Sequence, residues 1–193
     1  MNRYNDAINI CLTTIGESPI PASTSIVDHY EAELADTILS EAVTEVLAFG
    51  YNFNTDSDWP LVPDTSGYIG IPSGGISVDA TTTSFDYVMK NGKLYDKATQ
   101  SFIFTETVLA DVIWEAGFDD LPAVVQMLVV AIAKMKLYTR IVGVDTAYRV
   151  FAQEVEDAKV AVIADDIVSV DYSIFDDTAT KRVMTRTTNP LAL

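Results

Sequence analysis

The chain has 193 residues, of which 49% are apolar, and a formal net charge of −16 at pH 7. That length fits one domain or a core domain with one insertion, and that apolar content excludes a disordered chain. Few cations are available to displace counterions, so this charge excludes tight binding to a nucleic-acid backbone. The charge does not require a partner to explain it, because self-repulsion that keeps the protein in solution accounts for it equally well.

Three further features concern the compartment. Cys11 is the only cysteine, so a disulfide framework and a cysteine metal cage are excluded, and assembly in a reducing cytoplasm is expected. The N-terminus has no cleavable apolar region, and we expect no signal peptide. The longest apolar run, residues 123–133, is too short to span a bilayer and predicts a buried helix.

Apolar residues at three- and four-residue spacings predict two helices at the start of the chain. The first covers residues 2–15 and ends at Gly16, a residue that favours the left-handed conformation of a helix cap. The second covers about residues 28–49, with Asp28 as N-cap and Glu31 three residues later. Its predicted inward stripe is Leu34, Ala35, Ile38, Leu39, Ala42, Val46 and Phe49.

Two more helices are predicted in the second half of the chain. Either Asp119 or Asp120 caps the third helix, which tolerates Pro122 in its first turn and ends at Gly143. Asp145 caps the fourth helix, which extends to about residue 165. Its predicted inward residues are Tyr148, Phe151, Ala152, Val155, Ala158, Val162 and Ile163.

Between the two helix pairs the period changes, and short β-prone runs alternate with turn residues. Asn91 and Gly92 separate two such runs, which is the strongest short signal for a β-hairpin. A two-residue turn requires antiparallel pairing, so we predict a small meander or a partly open barrel. The predicted strands are YNFN, GYIGIP, ISVDA, FDYVMK, KLYD, SFIFTE and TVLADVIW.

The sequence therefore predicts an α+β fold with three parts. Residues 1–50 and 119–166 form a four-helix bundle. Residues 51–118 form a small antiparallel β domain that is inserted between the second and third helices. Residues 167–193 have no helical period and are expected to form an extended C-terminal tail that a partner orders.

No motif predicts a catalytic, cofactor or metal site. Asn54, Asp56 and Asp58 have the spacing that opens an EF-hand loop, but Trp59 and Thr65 stand where Gly and Glu are required. Acids that cap turns explain this stretch better, so we predict no calcium site.

The remaining polar motifs also lack the required partners. His29 is the only histidine and belongs to no nucleophile motif, and the Gly-rich residues 70–75 lack the lysine of a phosphate loop. The adjacent aspartates at 119–120, 165–166 and 176–177 diverge and are explained by helix capping. The enzymatic alternative, a wall- or glycan-hydrolysing accessory protein, needs a carboxylate pair in a cleft. We therefore predict that the chain is not an enzyme.

Aromatic residues concentrate in or beside the predicted β domain. A small β domain can bury only some of them, so most are expected in the core and any surplus on the surface would indicate an interface. They are Phe53, Trp59, Tyr68, Phe85, Tyr87, Tyr95, Phe102, Phe104, Trp114 and Phe118.

Five segments, taken in order, resemble tail tubular protein A of short-tailed bacteriophages, the adaptor or gatekeeper ring protein of the virion. The likeness covers residues 2–165 and is weakest beyond them. The segments are TTIGESPI, ILSEAVTEVLAFGYNFNTD, YIGIPSGGISVD, NGKLYDKATQSFIF and GFDDLPAVVQMLVVAIAKMKLY.

This resemblance implies a structural protein of the virion neck, made and assembled in the cytoplasm of the bacterial host. It implies a ring, dodecameric in this family, between the portal protein and the nozzle (tail tubular protein B), with a tail fibre protein attached nearby. DNA would pass through the ring during ejection without specific binding. A head-completion or fibre-attachment module without a DNA channel is the alternative.

Two hypotheses follow for the ring. Acids of the second helix or of the β loops line the channel, because a wall of carboxylates repels phosphate and lets DNA slide. The C-terminal tail folds on binding to the portal. The candidate interface residues for that contact are Phe175, Lys181, Arg182, Arg186 and Leu191.

Overall fold

Four α-helices and two small antiparallel sheets make up the part of the chain that the computed structural model describes, residues 3–21, 26–80, 87–144 and 146–169. The mixed helix-and-sheet class that the sequence predicts is therefore confirmed. The helices are α1 (Arg3–Thr14), α2 (Tyr30–Leu47), α3 (Ala123–Ile141) and α4 (Thr146–Ser169), and the strands are β1 (Thr55–Leu61), β2 (Gly75–Ala80), β3 (Tyr87–Lys90), β4 (Lys93–Asp96) and β5 (Val108–Trp114).

The main hydrophobic core lies among the helices. Helices α1, α2 and α3 contact one another, whereas α4 packs chiefly against α3. The α4 side chains buried in this contact are Val155 and Val162. A second, smaller cluster of buried side chains lies in the β region, around Leu94 and Val108.

Helices α2 and α3 begin later than predicted. Asp28 belongs to a 3-10 turn, and α2 follows His29, whose side chain makes no capping hydrogen bond. The pair Asp119–Asp120 also lies in a 3-10 turn. Pro122 disfavours helical dihedral angles in the residue before it, and Leu121 is accordingly extended, with ψ 146°. The predicted aspartate caps of α2 and α3 are therefore wrong, and the predicted cap of α4, Asp145, lies outside the described residues.

The predicted helix ends at glycine are confirmed. Gly16 has φ +86° and Gly143 has φ +101°, in the left-handed region that other residues rarely adopt. The N–H of Glu17 donates to the carbonyl of Leu12 at 3.0 Å, which satisfies one of the carbonyls left free at the end of α1.

Two residues of the predicted inward stripes lie on the surface. Phe49 is 73% exposed because α2 ends before it, at Leu47. Ile163 is 53% exposed because it lies on a side of α4 that faces away from α3.

The three-stranded sheet has the order β1-β5-β2, so the predicted meander or barrel is wrong. Strand β5, the last in the chain, pairs antiparallel with both β1 and β2. It takes the central place because it buries Val108, Ala110 and Val112, whereas β1 contains Pro60, a residue confined to sheet edges.

The predicted hairpin at Asn91 and Gly92 is confirmed. These residues have φ +54° and +72°, as a type I′ turn requires, and β3 pairs antiparallel with β4 across them. Beyond β4, the carboxylate of Asp96 accepts the N–H of Ala98 at 2.8 Å and the hydroxyl of Thr99 at 2.8 Å. These bonds lower the pKa of Asp96, the hydroxyl of Thr99 most.

Three of the predicted strands are wrong, because their residues form no named strand. Residues 52–54 of the predicted strand YNFN form a 3-10 turn, and strand β1, which follows it, is not predicted. The segment SFIFTE forms no named strand, and Ser101 makes only an isolated bridge to Asp96. The segment GYIGIP likewise makes only the isolated bridge from Gly70 to Lys93.

The side chain of Asn54 connects the helical region to the sheet. It is 4% exposed, and its amide group donates to the carbonyls of Leu47 at 3.0 Å and Trp114 at 3.1 Å. Its side-chain oxygen accepts the N–H of Tyr51 at 2.9 Å. One buried amide thus joins the end of α2 to the end of β5.

We expect Asn54→Asp to lower the free energy of unfolding by about 2–4 kcal/mol, because a buried carboxylate would face two carbonyl oxygens with no donor between them. Urea unfolding followed by circular dichroism measures this. The matched control is Asn91→Asp, an exposed turn residue whose left-handed conformation aspartate tolerates. Equal midpoints for the two variants would contradict the role of Asn54.

Candidate interaction surface

The candidate interface residues predicted from the sequence all lie beyond the part of the chain that the structure describes. They are Phe175, Lys181, Arg182, Arg186 and Leu191, within residues 170–193. The surface described below was not predicted from the sequence.

A groove of about 1220 Å³ lies between α1, α3 and α4. Ten of its eighteen lining residues are apolar. The apolar ones are Ala7, Ile10, Phe118, Ala123, Met127, Val130, Ala131, Val150, Ala158 and Ala161, and the polar ones are Arg3, Asp6, Gln126, Lys134, Arg149, Gln153, Glu154 and Asp157.

The groove exists because α1 and α4 flank α3 without closing on each other. Helix α3 has apolar residues around most of its surface, and α1, α2 and α4 cover only part of it. Small side chains such as Ala7, Ala131 and Ala161 line the walls and leave the space between the helices open. Met127 of α3 and Ile10 of α1 are consequently 68% and 46% exposed.

An ion pair across the floor holds α4 against α3. The ammonium group of Lys134 lies 2.7 Å from a carboxylate oxygen of Glu154, and the Lys134 side chain is only 15% exposed. The same ammonium group lies 5.7 Å from the ring centre of Phe151, which itself packs against Tyr138. These contacts fix the wall that α4 presents to the groove.

Two arginines stand on opposite rims of the groove. Arg3 belongs to α1 and Arg149 to α4, and both are exposed. Neither has an ion-pair partner among the described residues, whereas Lys136 and Arg140 of α3 pair with Glu45 and Glu41 of α2. The rims can therefore accept a carboxylate from a partner.

Helix α4 also carries apolar side chains on a side that contacts neither α3 nor the groove. Val160, Ile163 and Ile167 are 67%, 53% and 67% exposed. Their spacing of three and four residues places them on one face of the helix. We call these three residues the α4 ridge.

The sheet presents an acidic face. Asp79 and Asp111 are directly opposite each other in the β2–β5 pair, and the backbone N–H of Asp58 donates to the Asp111 carboxylate at 3.2 Å. Like charges directly opposite each other destabilise a sheet, so this arrangement is not explained by folding alone.

The prediction that most of these aromatics lie in the core is wrong, because two of the nine that the structure describes are buried, five are half-buried and two are exposed. Among the described aromatics, Phe104 and Phe118 are buried, whereas Phe53 and Trp59 are 38% and 40% exposed. Phe53 stacks on Tyr51 with ring centres 6.0 Å apart. Phe85 lies outside the described residues.

The described residues contain neither a metal cluster nor a membrane-spanning helix. No group of three or more histidine, cysteine, aspartate or glutamate side chains in that part of the chain is arranged to hold a metal ion. Within the same residues, every helix is too short or too polar to cross a membrane.

Cys11 lies in the core behind the groove wall of α1. Burial raises the pKa of its thiol to about 12, from an ordinary value of 9.0, and the nearby charge of Lys134 opposes the shift. The thiol is therefore neutral at physiological pH and is not a nucleophile.

The chain is similar to known proteins over most of its length. A profile of the family described as tail tubular protein matches residues 5–172. Tail tubular protein A of Klebsiella phage KP34 is 28% identical to this chain over 172 residues, which are 89% of this chain and 90% of the phage protein.

We expect the Cys11 thiol in the folded chain at pH 8 to react with a disulfide reagent far more slowly than in denaturant. The raised pKa alone leaves about a thousandfold less thiolate, because each pKa unit is a factor of ten. Absorbance of the released thiol measures the rate. Ile10→Cys, at a 46% exposed neighbouring position, is the control that should react rapidly. Equal rates for both thiols would show that α1 is not packed as described.

Proposed function

The chain belongs to the tail tubular protein family, whose members are structural components of bacteriophage tails, and from this premise we propose that it is a subunit of an adaptor ring joining the portal to the tail nozzle. The observation that carries the proposal is the family match over residues 5–172. The exposed apolar faces of α1, α3 and α4 support it, because a ring subunit must have surface for its neighbours.

In this proposal the helical region, residues 1–50 and 119–166, packs around the ring, and the β region, residues 51–118, offers surface to the nozzle and a tail fibre protein. The β region has a buried cluster of its own around Leu94 and Val108, which supports this division, although Phe118 at its end belongs to the helical cluster. The ring would lie in the neck of the virion and assemble in the host cytoplasm.

We further propose that DNA leaves through the centre of the ring along an acidic wall. Two acids of α2, Glu41 and Glu45, are engaged by Arg140 and Lys136 of α3, so α2 is partly neutralised. The sheet face with Asp79 and Asp111 places two carboxylates side by side and suits the channel wall better. A wall of this kind repels phosphates and binds no sequence.

The contact with the portal is assigned in this proposal to the C-terminal tail. The tail predicted from the sequence is residues 167–193, but α4 extends to Ser169, so the assignment concerns the residues after that helix. Its apolar residues Phe175 and Leu191 would insert into the portal, and Lys181, Arg182 and Arg186 would pair with portal carboxylates. For a tail that folds on binding, the favourable free energy of its contacts must exceed the conformational entropy that is lost when the tail becomes ordered.

We expect the chain mixed with the portal protein of the same phage to give a complex whose native mass contains many copies of the chain. Removing residues 176–193, or replacing Lys181, Arg182 and Arg186 by alanine, should abolish this complex. The control replaces three other lysines, Lys90, Lys97 and Lys159, and should leave the mass unchanged. Portal binding without the tail would overturn its assigned role, and a single copy per complex would favour a fibre-attachment module.

We expect phage particles whose subunits carry Asp79→Lys and Asp111→Lys to release DNA more slowly, and the delay to shrink in high salt. The pair stays like-charged, so the sheet keeps a similar internal repulsion. Asp119→Lys with Asp120→Lys changes the net charge equally outside the sheet and is the control. Fluorescence of a DNA dye during ejection measures the rate. Equal ejection rates for both double variants would show that the sheet does not line the channel.

A further inference from the structure

Helix α4 carries apolar side chains in three directions, and the described chain covers only one set of them. Phe151, Val155 and Val162 face α3. Val150 and Ala161 face the groove. The third face is the α4 ridge, which lies roughly a third of the way around the helix from the groove face. The groove side also contains Arg149, Gln153, Glu154 and Asp157, so the ridge is the more apolar of the two uncovered sides. Exposed apolar side chains grouped on one side of a helix indicate a contact surface.

The ridge is apolar in a chain that is otherwise strongly acidic. Residues 160–164 carry no charge, whereas the chain has 28 acids and 12 lysines and arginines. Copies of such a chain repel one another, and they associate only where the contact itself has few charges. The ridge satisfies this condition.

The groove has the length to receive the ridge of another copy. Its α4 wall extends from Arg149 to Ala161, which is about 18 Å along the helix axis, whereas the ridge from Val160 to Ile167 needs about 10 Å. A volume of about 1220 Å³ also exceeds the range of roughly 300–1,000 Å³ that is usual for small-molecule sites.

The edges of the two surfaces offer one complementary charge pairing, that of Glu156 with the rim arginines, although Asp6 and Asp157 also line the groove. Glu156 precedes the ridge on the same helix face, and its carboxylate takes a 2.9 Å bond from Lys159. An exposed pair of this kind contributes little, so Glu156 can change partners. Arg3 and Arg149 on the groove rims have no ion-pair partner among the described residues and lie where a carboxylate at the end of the ridge would arrive.

We propose that the α4 ridge of one copy inserts into the groove between α1 and α4 of the next copy. This inference rests on the proposed ring and names the surfaces that build it. The ridge and the groove wall belong to the same rigid helix and face different directions, so they cannot meet within one chain. A contact between two different patches is head-to-tail, and such contacts form rings when the rotation closes.

The test uses cysteine cross-linking in the full chain with a short bismaleimide. Met127→Cys places a thiol in the groove, and Ile167→Cys places one on the ridge. Met127 is 68% exposed and Ile167 is 67% exposed, so the substitutions leave the core intact. The double variant should give a ladder of dimers, trimers and larger species on a denaturing gel, because each copy carries both halves of the contact.

A mixture of the two single variants should stop at dimers, since each copy then carries one reactive half. Three controls should give no ladder. The first is the unsubstituted chain, in which Cys11 is buried. The second combines Met127→Cys with Val62→Cys, a 70% exposed position in the β region, and the third adds Ile163→Asp to the ladder-forming variant.

The outcomes separate this inference from the proposed ring. Native mass of the unsubstituted chain, alone and with its portal, is measured in parallel, and the cross-linking is repeated with the portal present. A multimer by mass without a ladder overturns the ridge-and-groove contact and leaves the ring standing. Dimers from either single variant alone, or a ladder with Val62→Cys, also overturn it. A single copy by mass with no ladder overturns both proposals.

Discussion

The packing of α4 against α3 is the contact on which the rest of the described surface depends. Val155 and Val162 bury one face of α4, and the Lys134–Glu154 pair fixes how the helix lies. Because α4 packs chiefly against α3, a groove stays open towards α1 and two faces of α4 stay uncovered. A monomer has no use for such surface, and a tail component that works through its neighbours requires it.

The β region is bound to this helical frame by few but specific contacts. The buried amide of Asn54 joins α2 to β5, and the carboxylate of Asp166 in α4 accepts the N–H of Asn52 at 2.8 Å. The central strand β5 is last in the chain, so its pairing with β1 joins the two ends of the β region. The position of the sheet relative to α4 therefore depends on both ends of the β region.

Local signals were predicted well from the sequence, and signals that depend on distant partners were not. A left-handed backbone is required at the helix ends at Gly16 and Gly143 and at the turn formed by Asn91 and Gly92. The residue types at these positions indicate that conformation directly. The central place of β5 depends on pairing between residues that are 30 to 58 positions apart in the chain, which no local pattern encodes. Ile163 fits an inward period, but whether a helix covers that face is decided by tertiary packing.

The candidate surface was missed for the same reason. The run that contains Met127 is apolar throughout, so its composition predicts burial and does not show which side stays uncovered. The uncharged stretch at residues 160–164 was the one available signal, and only its place beside the groove gives it meaning.

The central claim is that the chain works as one of several copies in a phage tail, and that α4 of each copy contacts the copies on both sides of it. Electron cryomicroscopy of the phage particle, at a resolution that separates helices, tests it most directly. The account predicts repeated copies around the tail axis, each with the exposed faces of α4 covered by an adjoining copy. Copies whose α4 faces solvent, or a location away from the tail axis, would contradict it.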